Sequence, residues 1–156
     1  MRRSNRRFKL LSAALLFGSA AALSGAAFGQ IPYPPPPKGP DPNEREVSLV
    51  RQDQSDCQNG NVSDRDPTLV GGTAYVLRGS DGKTSVKIGI SAKPNTKYHF
   101  FLKCVRLLGD IQTYDEGEGQ GMFTFNTNET GNVYAFDMYP EGAPPGNKYQ
   151  SVQVKY

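Results

Sequence analysis

The chain has no tryptophan, one histidine and two cysteines. A single imidazole and two thiols cannot complete a tetrahedral zinc site, and no cofactor is expected. The sequence contains no Gly-x-Ser-x-Gly elbow, no phosphate-binding glycine loop and no His-Glu-x-x-His segment, so motif-borne hydrolase, nucleotide and zinc-protease chemistry is without an anchor. The histidine, His99, has no carboxylate, second His or free thiol close to it in sequence, and is expected to be a partly exposed strand residue. Beyond residue 29 there is no amphipathic helical window and no apolar run of the roughly 18 residues that a spanning helix needs. The chain therefore reads as a non-enzyme with no transmembrane helix in its mature part.

The first 29 residues read as a signal peptide. Arg2, Arg3, Arg6, Arg7 and Lys9 form a basic start, Leu10 to Leu23 an apolar stretch, and Ala27-Phe28-Gly29 a small-residue cleavage site. These five cations account for the basic balance of 18 Lys and Arg against 15 Asp and Glu, and removing them leaves 13 basic groups and a formal charge of −2. Nucleic acid thereby loses its electrostatic support as a partner. Residues 30–43, with Pro34-Pro35-Pro36-Pro37 at their centre, read as a stiff extended linker, and 44–156 as a single domain. The expected location is exported, periplasmic or extracellular.

Export makes Cys57 and Cys104 a disulfide, since two cysteines in an oxidising compartment usually pair. Around them runs a succession of short alternating segments. Val86, Ile88, Ile90 and Ala92 give Thr84 to Ala92 one dry face; Tyr98, Phe100, Leu102 and Cys104 do the same for Lys97 to Val105. Pro94-Asn95-Thr96 between them predicts a hairpin. Further strands are expected at Glu46 to Val50, Thr73 to Arg78, Ile111 to Tyr114, Gly121 to Thr127, Asn132 to Tyr139 and Tyr149 to Lys155, with Arg51 to Pro67 a long polar loop. Seven or eight such strands imply an all-β, antiparallel β-sandwich of immunoglobulin-like architecture; the alternative is a small eight-stranded β-barrel. With no Trp, and with Leu102 two residues before the second Cys, the architecture is implied without the immunoglobulin family.

Four carboxylates, Asp110, Asp115, Glu116 and Glu118, surround a glycine-containing turn and are the candidate calcium ligands, although their spacing matches no EF-hand loop. Asp53, Asp56, Asp64 and Asp66 are expected to cap turns in the long loop. Tyr139 and Tyr149, at strand ends, are the candidate binding aromatics. The function expected is a non-catalytic binding or structural module of the bacterial cell envelope. It would recognise a protein or glycan through loop ends at Arg51 to Pro67, Asp115 to Gln120 and Glu141 to Lys148. The alternatives are a secreted hydrolase acting through carboxylates and an outer-membrane barrel, the latter suggested by the alternating C-terminus Val152 to Tyr156.

Overall fold

The computed structural model describes residues 36–144 and 147–156. The expected signal peptide, the first residues of the proline-rich linker and Pro145-Gly146 of the loop at Glu141 to Asn147 lie outside the described residues.

Alternation of apolar and polar side chains makes strands here, and eight of them hydrogen-bond into one antiparallel sheet. In chain order they are β1 (Arg45–Arg51), β2 (Val70–Arg78), β3 (Lys83–Ser91), β4 (Lys97–Leu102), β5 (Arg106–Gln112), β6 (Glu118–Asn126), β8 (Phe136–Pro140) and β9 (Tyr149–Ser151). β7 (Val133–Tyr134) and β10 (Val154–Lys155) pair separately as a small second sheet. The order across the large sheet is β5-β4-β8-β9-β1-β2-β3-β6, and its two outer strands come round to meet. The result is a nearly closed eight-stranded barrel whose opposite walls pack like the layers of a sandwich, so both architectures implied by the sequence fit.

The core is the inward row of each strand. Val86 and Ile88 of β3, Phe100 and Leu102 of β4, and Phe136 and Met138 of β8 are fully buried. Phe100 stacks on Phe136 with centroids 5.3 Å apart and lies 5.2 Å from Phe123 of β6. Ladder irregularities between Leu49 and Val50 and between Phe100 and Phe101 bend β1 and β4 around this core.

The expected hairpin between the third and fourth strands does not form. β3 pairs with β2 and β6, whereas β4 pairs with β5 and β8. The turn at Pro94 to Thr96 is instead an arch over the β5–β6 connection. Asn95 takes φ +50°, its N–H donates to Tyr114 O at 3.1 Å, and Thr96 N donates to the Thr113 hydroxyl at 2.9 Å. The spatial order β3-β6-β5-β4 is that of a Greek key, with the arch as its long connection.

Two expected strands are broken. Asn132 to Tyr139 divides at Ala135, and the last strand divides at Val152-Gln153, so that each ends in the β7–β10 pair. Tyr156 is packed rather than projecting: its ring meets Tyr134 edge-on at 5.6 Å and its hydroxyl donates to Val76 O at 2.6 Å.

The loop after β1 crosses the outside of β8 and β9 and is fastened there twice. Cys57 and Cys104 form the expected disulfide, with Cα atoms 5.5 Å apart. Beneath it Asn59, 1% exposed, donates to Phe136 O and Ser151 O, and the buried Lys103 ammonium donates to Gln54 O at 2.7 Å and Asn59 Oδ1 at 2.5 Å. Lys103 lies in the turn after β4, and the loop covers and buries it.

The end of the linker is also held against the barrel. Gly39 N–H donates to the buried Glu44 carboxylate, which pairs with Lys87 at 2.7 Å, and Lys87 reaches Pro37 O at 3.4 Å. Residues 37–39 therefore lie on the outer face of β3 and do not stand away from the domain.

Candidate ligand cleft at the barrel mouth

Strand direction places the C-terminal end of β1, the β3–β4 arch, the β5–β6 turn and the β8–β9 loop at one end of the barrel. Two of the three expected rim loops, Asp115 to Gln120 and Glu141 to Lys148, stand there. The third does not, because most of Arg51 to Pro67 is clamped along the barrel side. Between the rims opens a cleft of about 660 Å3, within the ~300–1,000 Å3 range usual for small-molecule sites.

Its walls follow from local register. Met138 and Tyr149 are partners on the β8–β9 ladder, which sends Tyr149 inward. There its ring packs edge-on against Tyr98, with centroids 6.3 Å apart. Gly71 on β2 leaves room for it, since a Cβ at that position would fall inside the Tyr149 ring. Burial pushes the Tyr149 phenol up, Tyr98 adds to this, and Arg51 opposes it. Tyr98 is 4% exposed, and its hydroxyl oxygen accepts from Lys93 N at 3.1 Å. Arg51, Lys93, Thr96, Pro140, Glu141 and Asn147 complete most of the rim.

The structure separates the two tyrosines singled out in the sequence. Tyr139, one residue from Met138, faces outward, stacked on Phe101 at 4.8 Å with the Lys148 ammonium 5.3 Å from its centroid. Tyr149 alone of the pair lines the cleft.

The candidate calcium ligands do not converge. Asp110 lies on the outer face of β5, where it meets His99 Nδ1 at 2.6 Å and Lys97 Nζ at 3.6 Å. Asp115 and Glu116 are exposed at the turn tip, and among the described residues no group of three or more His, Cys, Asp and Glu is arranged to hold a metal. The loop carboxylates do cap turns: Asp56 accepts from Gln58 N and Gly60 N, and Asp66 from Thr68 N, while Asp64 accepts from Ser48 Oγ. Asp53 pairs with Lys148 at 3.3 Å.

His99 has a partner after all. His99 and Asp110 are opposite each other in the β4–β5 register, which the separation of 11 residues concealed. Lys93 and Tyr98 were missed as cleft residues, and Arg51 was marked only as the first residue of an expected rim loop. Their only sequence signal is position, at or beside strand ends that the fold brings to one rim.

Among the described residues no helix is long and apolar enough to cross a membrane. The chain matches no protein-family model and no curated protein.

Proposed function

We propose that the chain is an exported, non-catalytic binding module of the cell envelope that takes a glycan or protein group at the barrel mouth. The observation that carries this reading is the cleft itself: a concavity walled by two packed tyrosines and rimmed by loops anchored to a rigid barrel. The disulfide supports export, because such bonds persist in oxidising compartments. A carboxylate hydrolase needs two facing carboxyls, and the described cleft lining offers one, Glu141, among cations and phenols. A membrane barrel needs an apolar outer belt; here Glu46, Lys87, Asp110, Gln112, Gln120 and Thr124 point outward around an apolar interior.

The test is capture from the envelope fraction of the source cells with three proteins: wild type, Ala143→Trp, which fills the cleft from its rim, and Met122→Ser, which alters an exposed residue on the barrel side. The partner retained by wild type is expected to remain with Met122→Ser and be lost with Ala143→Trp. Equal retention by both variants would overturn the mouth as the binding site.

A further inference from the structure

Three side chains far apart in sequence meet where the long loop crosses β8. Asn59 is 1% exposed, and Lys103 and Asp137 are each 7% exposed. The Lys103 ammonium lies 3.6 Å from the Asp137 carboxylate but only 2.5 Å from Asn59 Oδ1. A hydrogen-bonded ammonium and carboxylate close to about 2.7–2.9 Å, so this cation sits nearer a neutral amide than its counter-charge. A carbonyl bond is about 1.23 Å long, which leaves Lys103 Nζ at most about 3.7 Å from Asn59 Cγ. That is close to the separation of about 3–3.5 Å from which bonds form.

The amide is held in place for this contact. Asn59 Nδ2 donates to Phe136 O at 3.2 Å and to Ser151 O at 3.0 Å, and its backbone takes φ +52°, a left-handed conformation that asparagine tolerates. Gln150 Nε2 orients the acid by donating to Asp137 Oδ1 at 3.2 Å. Desolvation raises the Asp137 carboxyl, with Lys103 and Lys148 opposing. A carboxyl raised in this way beside an amine is suited to carry protons to and from it. The disulfide holds both backbones, since Cys57 is two residues from Asn59 and Cys104 adjoins Lys103.

We infer that Lys103 and Asn59 join in an intramolecular isopeptide bond, with Asp137 as the acid and base that forms it. Asp137 first takes a proton from the ammonium; removal from water disfavours the ion pair, and the transfer leaves two neutral groups. The free amine adds through its lone pair to Asn59 Cγ, and the carbonyl electrons move onto Oδ1. Asp137 then hands its proton to Nδ2 and takes the one that Nζ sheds. The carbonyl re-forms, the Cγ–Nδ2 bond breaks with its electron pair, and ammonia leaves. One amide replaces another, so neither oxidant nor cofactor takes part. A surface cavity of about 310 Å3, lined by both Lys103 and Asp137, gives ammonia its exit.

The ion pair and hydrogen bonds of Lys103 belong to the freshly folded form that precedes this reaction. The new bond ties nearly the same positions as the disulfide, 44 residues apart against 47. It is independent of the mouth, and its product is a loop that stays fastened when the disulfide is reduced.

The full chain is expressed with its own leader, purified, aged, reduced and digested with trypsin for mass spectrometry. Aged wild type is expected to give residues 52–65 joined to 98–106, uncut at Lys103 and one ammonia lighter than the two peptides together. Lys103→Arg should give no such product, and Asp137→Asn should form it about 100-fold more slowly or not at all. Separate Asn59 and Lys103 peptides in aged wild type would overturn the proposal, whatever the variants do. So would ammonia lost from 52–65 alone, which marks cyclisation of Asn59 onto the Gly60 nitrogen. A link that forms equally fast in Asp137→Asn would overturn the part given to Asp137.

Discussion

His99 Nδ1 lies 2.6 Å from Asp110 Oδ1, directly across the β4–β5 ladder on the outer face of the barrel. The hydrogen bond from His99 is the largest influence holding the Asp110 carboxyl below the usual carboxylate range; Lys97 assists and desolvation opposes. A depressed carboxylate pKa contributes stability that is present above the ordinary aspartate value and disappears as pH falls through the folded one. In His99→Ala the Asp110 midpoint, followed by carboxyl carbon NMR, is expected to rise. The stability difference from wild type should vanish in acid, where both carboxyls are protonated. An unchanged midpoint would assign the depression to Lys97 instead.

Lys103 is the second pairing that only the fold reveals. Its ammonium is buried between Gln54 O, Asn59 Oδ1 and Asp137, whose carboxylate is 3.6 Å away. Desolvation pushes the Asp137 carboxyl up, and Lys103 is the foremost group opposing it. Lys103→Met leaves that buried carboxylate without its nearest cation, with the Gln150 amide as its remaining hydrogen-bond donor, and urea denaturation at neutral pH should show a loss of about 3 kcal/mol. With Asp137 raised above its unfolded value, native stability falls as pH climbs through that window, and more so in the variant. The deficit should therefore shrink as Asp137 protonates in acid. A deficit constant with pH would show that the lost hydrogen bonds to the loop, and not the charge, carry the effect.

These two residues also show what sequence can and cannot carry. Period-2 alternation identified Val86, Ile88, Phe100 and Leu102 as inward, because their burial is written in the spacing, but it carried the second face on to Cys104, which is exposed in the turn after β4 at φ +58°. It could not supply partners. Pro94-Asn95-Thr96 has the chemistry of a tight turn, yet its hydrogen bonds go to Thr113 and Tyr114, and closure of the Greek key decides that. Lys103 lies just past the end of β4, in the turn before β5, and a loop more than 40 positions away covers it. Arg51 and Lys93 carry no motif, and only their meeting at one rim makes them a site.

The disulfide and the polar clamp hold the same loop independently. In the loop-entropy account, a crosslink between positions 47 apart in sequence contributes about 4 kcal/mol by restricting the unfolded chain. Both cysteines are exposed, so Cys57→Ser with Cys104→Ser adds no cavity. The double variant should lose about that amount in urea denaturation, while its near-ultraviolet circular dichroism stays native because Asn59 and Lys103 still fasten the loop. Loss of the native spectrum would show that the clamp depends on the covalent bond.

The seam that closes the barrel is packed by one aromatic ring, Phe123. β5 and β6 are joined at the mouth by Tyr114 N–H donating to Glu118 O at 2.9 Å, and at the far end by Arg106 gripping Glu129 at 2.8 and 3.2 Å. Between these points Phe123 lies against two glycines. A Cβ at Gly109 would come within 2.5 Å of its Cε1, and one at Gly121 within 2.7 Å of its Cε2. The ring is further fixed by Phe100, 5.2 Å away in the core, so it cannot swing aside freely. Gly109→Ala should thus cost about 1–3 kcal/mol by overpacking. Phe123→Leu, which shortens the side chain at the point of collision, should absorb most of that cost when the two are combined. The double-mutant cycle is therefore expected to be strongly non-additive. Simple additivity would mean that the strands part to accommodate the methyl group, and that the seam is held by its two ends and not by the ring between them.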